Sequence, residues 1–193
     1  KADQTITLNE DNAQPFVRSI VKKENTLLTS FNIPGLDFQH HENSFNDFKN
    51  YRLLPYQLSK EGPGIAVGDV NGDGFDDLFL TNGAGNAPRL LLQRKNGSFQ
   101  LSSSQPWFSD STSESLGALF FDADNDNDLD LYISAGGYAY DPGDAGYSDI
   151  LYINNGSGIF SQAESALPAN TSSKFCVRAC DYDKDGDLDL FIA

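Results

Sequence analysis

Oxygen-bearing side chains recur at alternate positions in three short stretches of this chain: DVNGDGFDD (69–77), DADNDNDLD (122–130) and DYDKDGDLD (181–189). Counting each leading aspartate as position 1, the first stretch carries Asp69, Asn71, Asp73 and Asp77 at positions 1, 3, 5 and 9. The second carries Asp122, Asp124, Asp126 and Asp130, and the third Asp181, Asp183, Asp185 and Asp189. A calcium ion takes about six to eight oxygen ligands, and a tightly turning loop aims alternate residues at one point. Position 7 (Phe75, Asp128 and Asp187) is expected to add a backbone carbonyl. Position 6 is Gly74, Asn127 or Gly186, residue types that tolerate left-handed backbone. With oxygen donors alone on offer, calcium is favoured over zinc or copper. The stretches hold fourteen of the 28 acidic residues, and one divalent ion in each would bring the formal charge from −15 to about −9. An EF-hand loop shares the first half of the pattern but needs Glu at position 12 and flanking helices. Here position 12 is Leu80, Ile133 or Ile192, each inside an alternating apolar run. Acidic turns without a metal are the plain alternative, because Asp, Asn and Gly favour turns on their own account. Five carboxylates within nine residues, as in the second and third stretches, would then repel one another with nothing to neutralise them.

The loops belong to a repeat. AVGDVNGDGFDDLFL (66–80), LFFDADNDNDLDLYI (119–133) and RACDYDKDGDLDLFI (178–192) align without gaps, and their first aspartates lie 53 and 59 residues apart. A second element follows the first two: RLLLQRKNGSFQ (89–100) parallels DILYINNGSGIFSQ (149–162), with an Asn-Gly turn between alternating runs. One unit therefore reads as strand, acidic loop, strand, connection, strand, Asn-Gly turn, strand. Strands are predicted near 64–69, 77–82, 89–95 and 98–102, then near 117–122, 130–134, 149–154 and 158–162. Four short strands per unit of this length predict an all-β fold of β-propeller blades, about two and a half of them. The units run about 61–105, 115–165 and 175–193, the last truncated. Residues 1–60 form a lead-in without an acidic loop, with short strands expected at Thr5–Leu8, Leu27–Phe31 and Asp37–His40. The Gly- and Tyr-rich connection 136–148 is expected to be an exposed loop. So few blades do not close a ring, so further blades or self-association through open faces are expected to cover its ends.

The negative charge argues against nucleic acid as a partner. No apolar run reaches the roughly 18 residues of a membrane span, and no charged-then-apolar leader follows Lys1. Cys176 and Cys180, four apart in a predicted strand, are too far apart for a disulfide and are expected to be buried thiols. His40 and His41 point to opposite faces of any strand, so they do not jointly chelate. Gly62-Pro63-Gly64 precedes a strand and not a helix, which removes a phosphate-loop reading. Trp107, Phe108 and the Tyr138–Tyr140–Tyr147 cluster could stack on sugar rings, but packing between blades is the favoured role.

The loops DVNGDGFDD, DADNDNDLD and DYDKDGDLD resemble the calcium loops of FG-GAP/VCBS repeats, the blades of the integrin α-subunit propeller. GLDFQHHENSFNDFKNYRLLPYQLSKEGPGIAVGDVNGDG (35–74) and DILYINNGSGIF (149–160) are similar to the secreted cartilage-acidic-protein-like group of VCBS proteins. The resemblance covers residues 33–193. It implies a parent propeller of about seven blades that binds calcium in its hairpins outside the cytoplasm and serves adhesion or glycan contact. The chain departs from the pattern at Asn127, where Gly is usual, and in its number of blades. The expected function is thus a calcium-binding, non-catalytic module for a protein or glycan ligand, extracellular, at the cell surface or periplasmic. The alternatives are the propeller portion of a carbohydrate-active enzyme such as a polysaccharide lyase, and a structural spacer. A lyase would need acid–base residues outside the calcium loops, and none stands out in the sequence.

Overall fold

The computed structural model describes residues 31–108 and 113–193. The chain divides into two compact units, Lys1–Phe31 and Asn32–Ala193, and every strand among the described residues lies in the second. Of the strands expected in the lead-in, Thr5–Leu8 and most of Leu27–Phe31 lie outside the described residues.

Ten strands are present among the described residues, and every pairing is antiparallel. In the first blade β1 (Ile65–Gly68), β2 (Asp77–Leu80), β3 (Arg89–Gln93) and β4 (Phe99–Leu101) pair in sequence order. The second blade repeats this with β5 (Ser115–Phe121), β6 (Asp130–Ala135), β7 (Ile150–Asn154) and β8 (Phe160–Gln162). A third sheet holds β9 (Val177–Cys180) and β10 (Asp189–Ile192). This is the all-β blade arithmetic that the alternating apolar runs predict. β5 starts slightly earlier than expected because its register slips between Ser115 and Gly117, an irregularity that alternation alone does not reveal.

Blades stack through their faces. Ala66, Phe79 and Leu90 of the first blade pack with Ala118, Leu131, Ile133 and Tyr152 of the second. Trp107, in a 3₁₀ turn of the connection between them, sits edge-on to Phe79 and Tyr152, each at 5.2 Å between ring centroids. It therefore packs between blades and is closed to a sugar. A second cluster joins Phe121, Tyr132 and Leu151 to Val177, Ala179, Leu190 and Ile192 of the third sheet. The alternation leaves Ile65 and Val67 exposed on the opposite face of β1, and Phe191 exposed on that of β10.

The lead-in differs from expectation. Asp37–His40 forms no strand, and 3₁₀ turns occur at Asp47–Lys49 and Leu58–Lys60. Its backbone is fixed by scattered bonds instead of a ladder: Phe99 N–H donates to Pro34 O at 2.8 Å and His41 N–H to Asn82 Oδ1 at 3.0 Å. The cysteines are unbridged as expected, but they are not buried. Both thiols are free, Cys176 half-buried and Cys180 exposed. Val177 and Ala179 take the core side of β9, which turns both cysteines to the other side.

Candidate metal centres in the blade hairpins

Each acidic loop closes the first hairpin of its blade, between the paired residues Gly68 and Asp77, Phe121 and Asp130, and Cys180 and Asp189. Position 9 is thus the first residue of the second strand. In the first two blades it is fully buried. Its two carboxylate oxygens accept backbone N–H groups from opposite sides. Asp77 accepts from Val70 at 3.2 Å and from Gln93 on β3 at 2.8 Å. Asp130 accepts from Ala123 and from Asn154 on β7, each at 2.8 Å. Asp189 accepts from Tyr182 at 2.9 Å. Position 9 therefore ties the loop to the blade as well as facing the site.

The remaining positions shape the turn. Position 1 accepts the N–H groups of positions 5 and 6: Asp69 from Asp73 (3.1 Å) and Gly74 (2.7 Å), Asp122 from Asp126 (3.2 Å) and Asn127 (3.0 Å). Position 5 accepts from position 7 at 3.0 Å in all three loops. Asn71 and Asp183 at position 3 accept from position 5. These local side-chain bonds replace a helix or ladder and curl the loop inward. The left-handed residues at position 6 have φ of 85° at Gly74, 70° at Asn127 and 101° at Gly186. Position 4 is left-handed too, at Gly72 (71°), Asn125 (63°) and Lys184 (66°). Sequence reasoning missed this second strained position. The signal was present as Gly and Asn in two of the three loops, but Lys184 hid it.

One oxygen each of Asp122, Asp124 and Asp130 lie within 4.8 Å of one another, and so do those of Asp181, Asp183 and Asp189. Positions 1, 3 and 9 are thereby brought together. Asp126 and Asp185 at position 5 stay outside these triplets, engaged with the turn. The first loop offers Asp69 and Asp77 with the amide oxygen of Asn71 at position 3. At position 7 of the second loop the Asp128 Oδ1 atom is buried and has no hydrogen-bond partner. Position 7 of the third loop, Asp187, accepts from Asn125 Nδ2 of the second loop at 2.9 Å.

Burial raises Asp77 to a pKa of about 6, against two backbone hydrogen bonds that pull it down, with Asp73 and Asp69 adding repulsion. Burial also raises Asp128 and Asp130, and the neighbouring loop aspartates push the same way. Buried position-9 carboxyls that resist ionisation, Asp77 and Asp130, and a buried carboxylate oxygen without a donor are what a hard divalent cation would satisfy. The donor set fits calcium: side-chain oxygens at positions 1, 3 and 9, carboxylates throughout except the Asn71 amide, with position 5 and the position-7 carbonyl at hand.

The other candidates take structural places. His40 Nε2 meets Glu42 Oε1 at 2.9 Å, and His41 uses its backbone. Tyr138, Tyr140 and Tyr147 line a cleft of about 460 Å³ with Tyr51 and residues 169–173. Tyr140 packs edge-on against Tyr147, whose hydroxyl donates to the Tyr140 carbonyl at 2.9 Å. Connection 136–148 is accordingly not a plain exposed loop: residues 136 and 137 and Tyr147 are buried.

No curated protein matches this chain. The FG-GAP-like repeat matches it twice, over residues 43–133 and 138–192. Those two spans take in all three acidic loops and nearly all of both four-stranded blades, and on that coverage the chain is a member of the FG-GAP-like repeat family.

Proposed function

We propose that this chain is a calcium-binding array of propeller blades that works outside the cytoplasm as a non-catalytic binding module. The observation that carries the reading is the convergence of positions 1, 3 and 9 in the second and third hairpin loops, with the turns held by local side-chain bonds. Calcium at each loop would neutralise the carboxylates and lock the hairpin. The bound ion supplies electrostatic cross-linking, and the chain supplies Asp69, Asn71, Asp73, Asp77 and their counterparts, with the Phe75, Asp128 and Asp187 carbonyls. Loops of this kind fill at the millimolar calcium of extracellular, cell-surface or periplasmic surroundings. Among the described residues no helix is long and apolar enough to cross a membrane.

A protein or glycan is the proposed ligand. The tyrosine-walled cleft beside the second blade offers flat faces and a rim of Asn170, Thr171, Ser172 and Ser173, suited to an amphipathic surface. The exposed Ile65, Val67 and Phe191 offer apolar faces to a neighbouring blade or a second copy. A lyase reading finds no support in Glu114, the one carboxyl outside the loops among the described residues with a pKa raised to about 7, because only 1% of it is exposed.

Melting in millimolar calcium and in excess EGTA tests the metal reading. At about ten times Kd each site adds roughly 1.4 kcal/mol, so three sites should raise the midpoint clearly. An unchanged midpoint would sink the assignment.

A further inference from the structure

The Asn-Gly turn that joins β7 to β8 lies between two acidic loops. A Cβ at Gly156 would come within 3.1 Å of Asp128 Oδ2 in the second loop, and one at Gly158 within 3.5 Å of Val70 and Asn71 in the first. At the root of this turn stands Asn154, 4% exposed. Its backbone N–H donates to Asp130 Oδ1 at 2.8 Å, which is position 9 of the second loop. Its side-chain amide donates to the Leu129 carbonyl at 3.1 Å, position 8 of the same loop, and to the Val70 carbonyl at 2.8 Å, position 2 of the first loop. Val70 in turn gives its N–H to Asp77 Oδ2 at 3.2 Å, position 9 of the first loop. The Asn154 carbonyl oxygen of the side chain accepts from Asn155 and Gly158, so the amide cannot rotate away without losing both. An unbroken buried path therefore runs Asp77–Val70–Asn154–Asp130, from one loop's anchoring carboxylate to the next.

From this path we infer that Asn154 is a positioning residue shared by two metal sites, and that filling one site strengthens calcium binding at the other. The inference rests on the calcium reading above. A cation in the second loop fixes Asp130, and Asp130 fixes the Asn154 backbone. The Asn154 amide then holds Val70, which orients Asp77 for the first loop. Ordering accomplished by the first ion need not be repeated for the second, so the coupling is positive, and it is reciprocal. Blade 1 has Gln93 where blade 2 has Asn154, since each gives its N–H to the local position 9. The clamp on a preceding loop is thus built by this residue in the second blade.

Calcium titration of the full chain, followed by NMR at single amides, tests the coupling. Gly74 N–H reports the first loop and Asn127 N–H the second, since each is bonded to its own position 1. Asp124→Ala removes a ligand from the second loop. The expected result is that it raises the calcium concentration needed to half-saturate Gly74 by about fivefold or more. In an Asn154→Ala background the same substitution should shift Gly74 by less than about twofold, a difference that loss of general stability does not produce. Asn154→Leu, closer in volume, serves if the alanine variant does not fold, and the comparison of wild type with Asp124→Ala decides alone if neither does. Equal half-saturation of Gly74 with and without Asp124, or a shift that survives loss of Asn154, overturns the coupling. Amides that ignore calcium altogether overturn the metal reading itself, and the coupling with it.

Discussion

Two carboxyls buried outside the acidic loops, Asp47 and Glu114, hold the lead-in against the second blade. Asn43 Nδ2 donates to Glu114 Oε2 at 2.6 Å, Ser59 N–H donates to Asp47 Oδ2 at 2.9 Å, and Ser59 Oγ accepts from Tyr138 N–H at 2.8 Å. Burial lifts Glu114 to a pKa of about 7, and repulsion from Glu42 and Asp47 adds to it while the Asn43 bond opposes it. The folded chain therefore holds this proton more tightly than the unfolded chain. Its contribution to stability is lost as pH rises from the ordinary carboxyl range through about 7. Glu114→Gln keeps an acceptor for Asn43 and removes the titration. Urea melts at pH 4.5 and pH 8 should show the variant gaining on the wild type by on the order of 2–3 kcal/mol at the higher pH. A constant difference between the two would mean that the carboxyl titrates normally. None of this was legible in the sequence. Asn43 and Glu114 are 71 residues apart, and neither sits in a pattern that marks it. The loop aspartates were legible because their chemistry is packed into nine consecutive residues whose spacing is itself the geometry.

At the scale of elements, the blade strands could be read closely from alternation and turn residues, since each face of a strand meets a different neighbour. The lead-in could not, because Asp37–His40 joins no ladder, and a segment held by scattered bonds leaves no periodic trace. Backbone handedness was read at position 6 and missed at position 4. Two substitutions with opposite signs follow from it. Lys184 occupies φ 66°, a region that costs an L-residue about 1–2 kcal/mol and glycine almost nothing. Lys184→Gly should stabilise the chain by roughly 0.5–1 kcal/mol after glycine's extra entropy is counted. Gly35 has φ 81° and lies so close to β4 that a Cβ would overlap the Phe99 carbonyl oxygen. Gly35→Ala should cost about 2 kcal/mol or more, since both the backbone conformation and the approach to β4 forbid it. Thermal melts of the two variants beside the wild type check both signs, and a neutral Gly35→Ala would show that the lead-in is not docked on the first blade.

Across the whole described unit, the passage from the second blade to the third is fastened by one buried cation. Lys174 Nζ donates to the Tyr147 and Asn170 carbonyls at 2.6 and 3.1 Å and meets Asp149 Oδ1 at 3.2 Å, with both charged side chains about 5% exposed or less. Asp149 also accepts from the Tyr132 hydroxyl at 2.6 Å and from Ala135 N–H. Lys174→Met leaves that carboxylate buried without its partner, which typically costs about 3–5 kcal/mol. Denaturation at fixed calcium measures it, and a loss below about 1 kcal/mol would mean that water reaches the pair. The blade order has a consequence in time as well as energy. β6 is buried along its entire length because the second blade has a packed neighbour on each face, whereas β10 alternates half-buried and exposed residues. Opening β6 to solvent requires both interfaces to part, and opening β10 requires only one. In deuterated water, among the ten strands, the amides of β6 should be the last to take up label and those of β9 and β10 the first, so that the blades carry a clock that runs fastest at the third sheet.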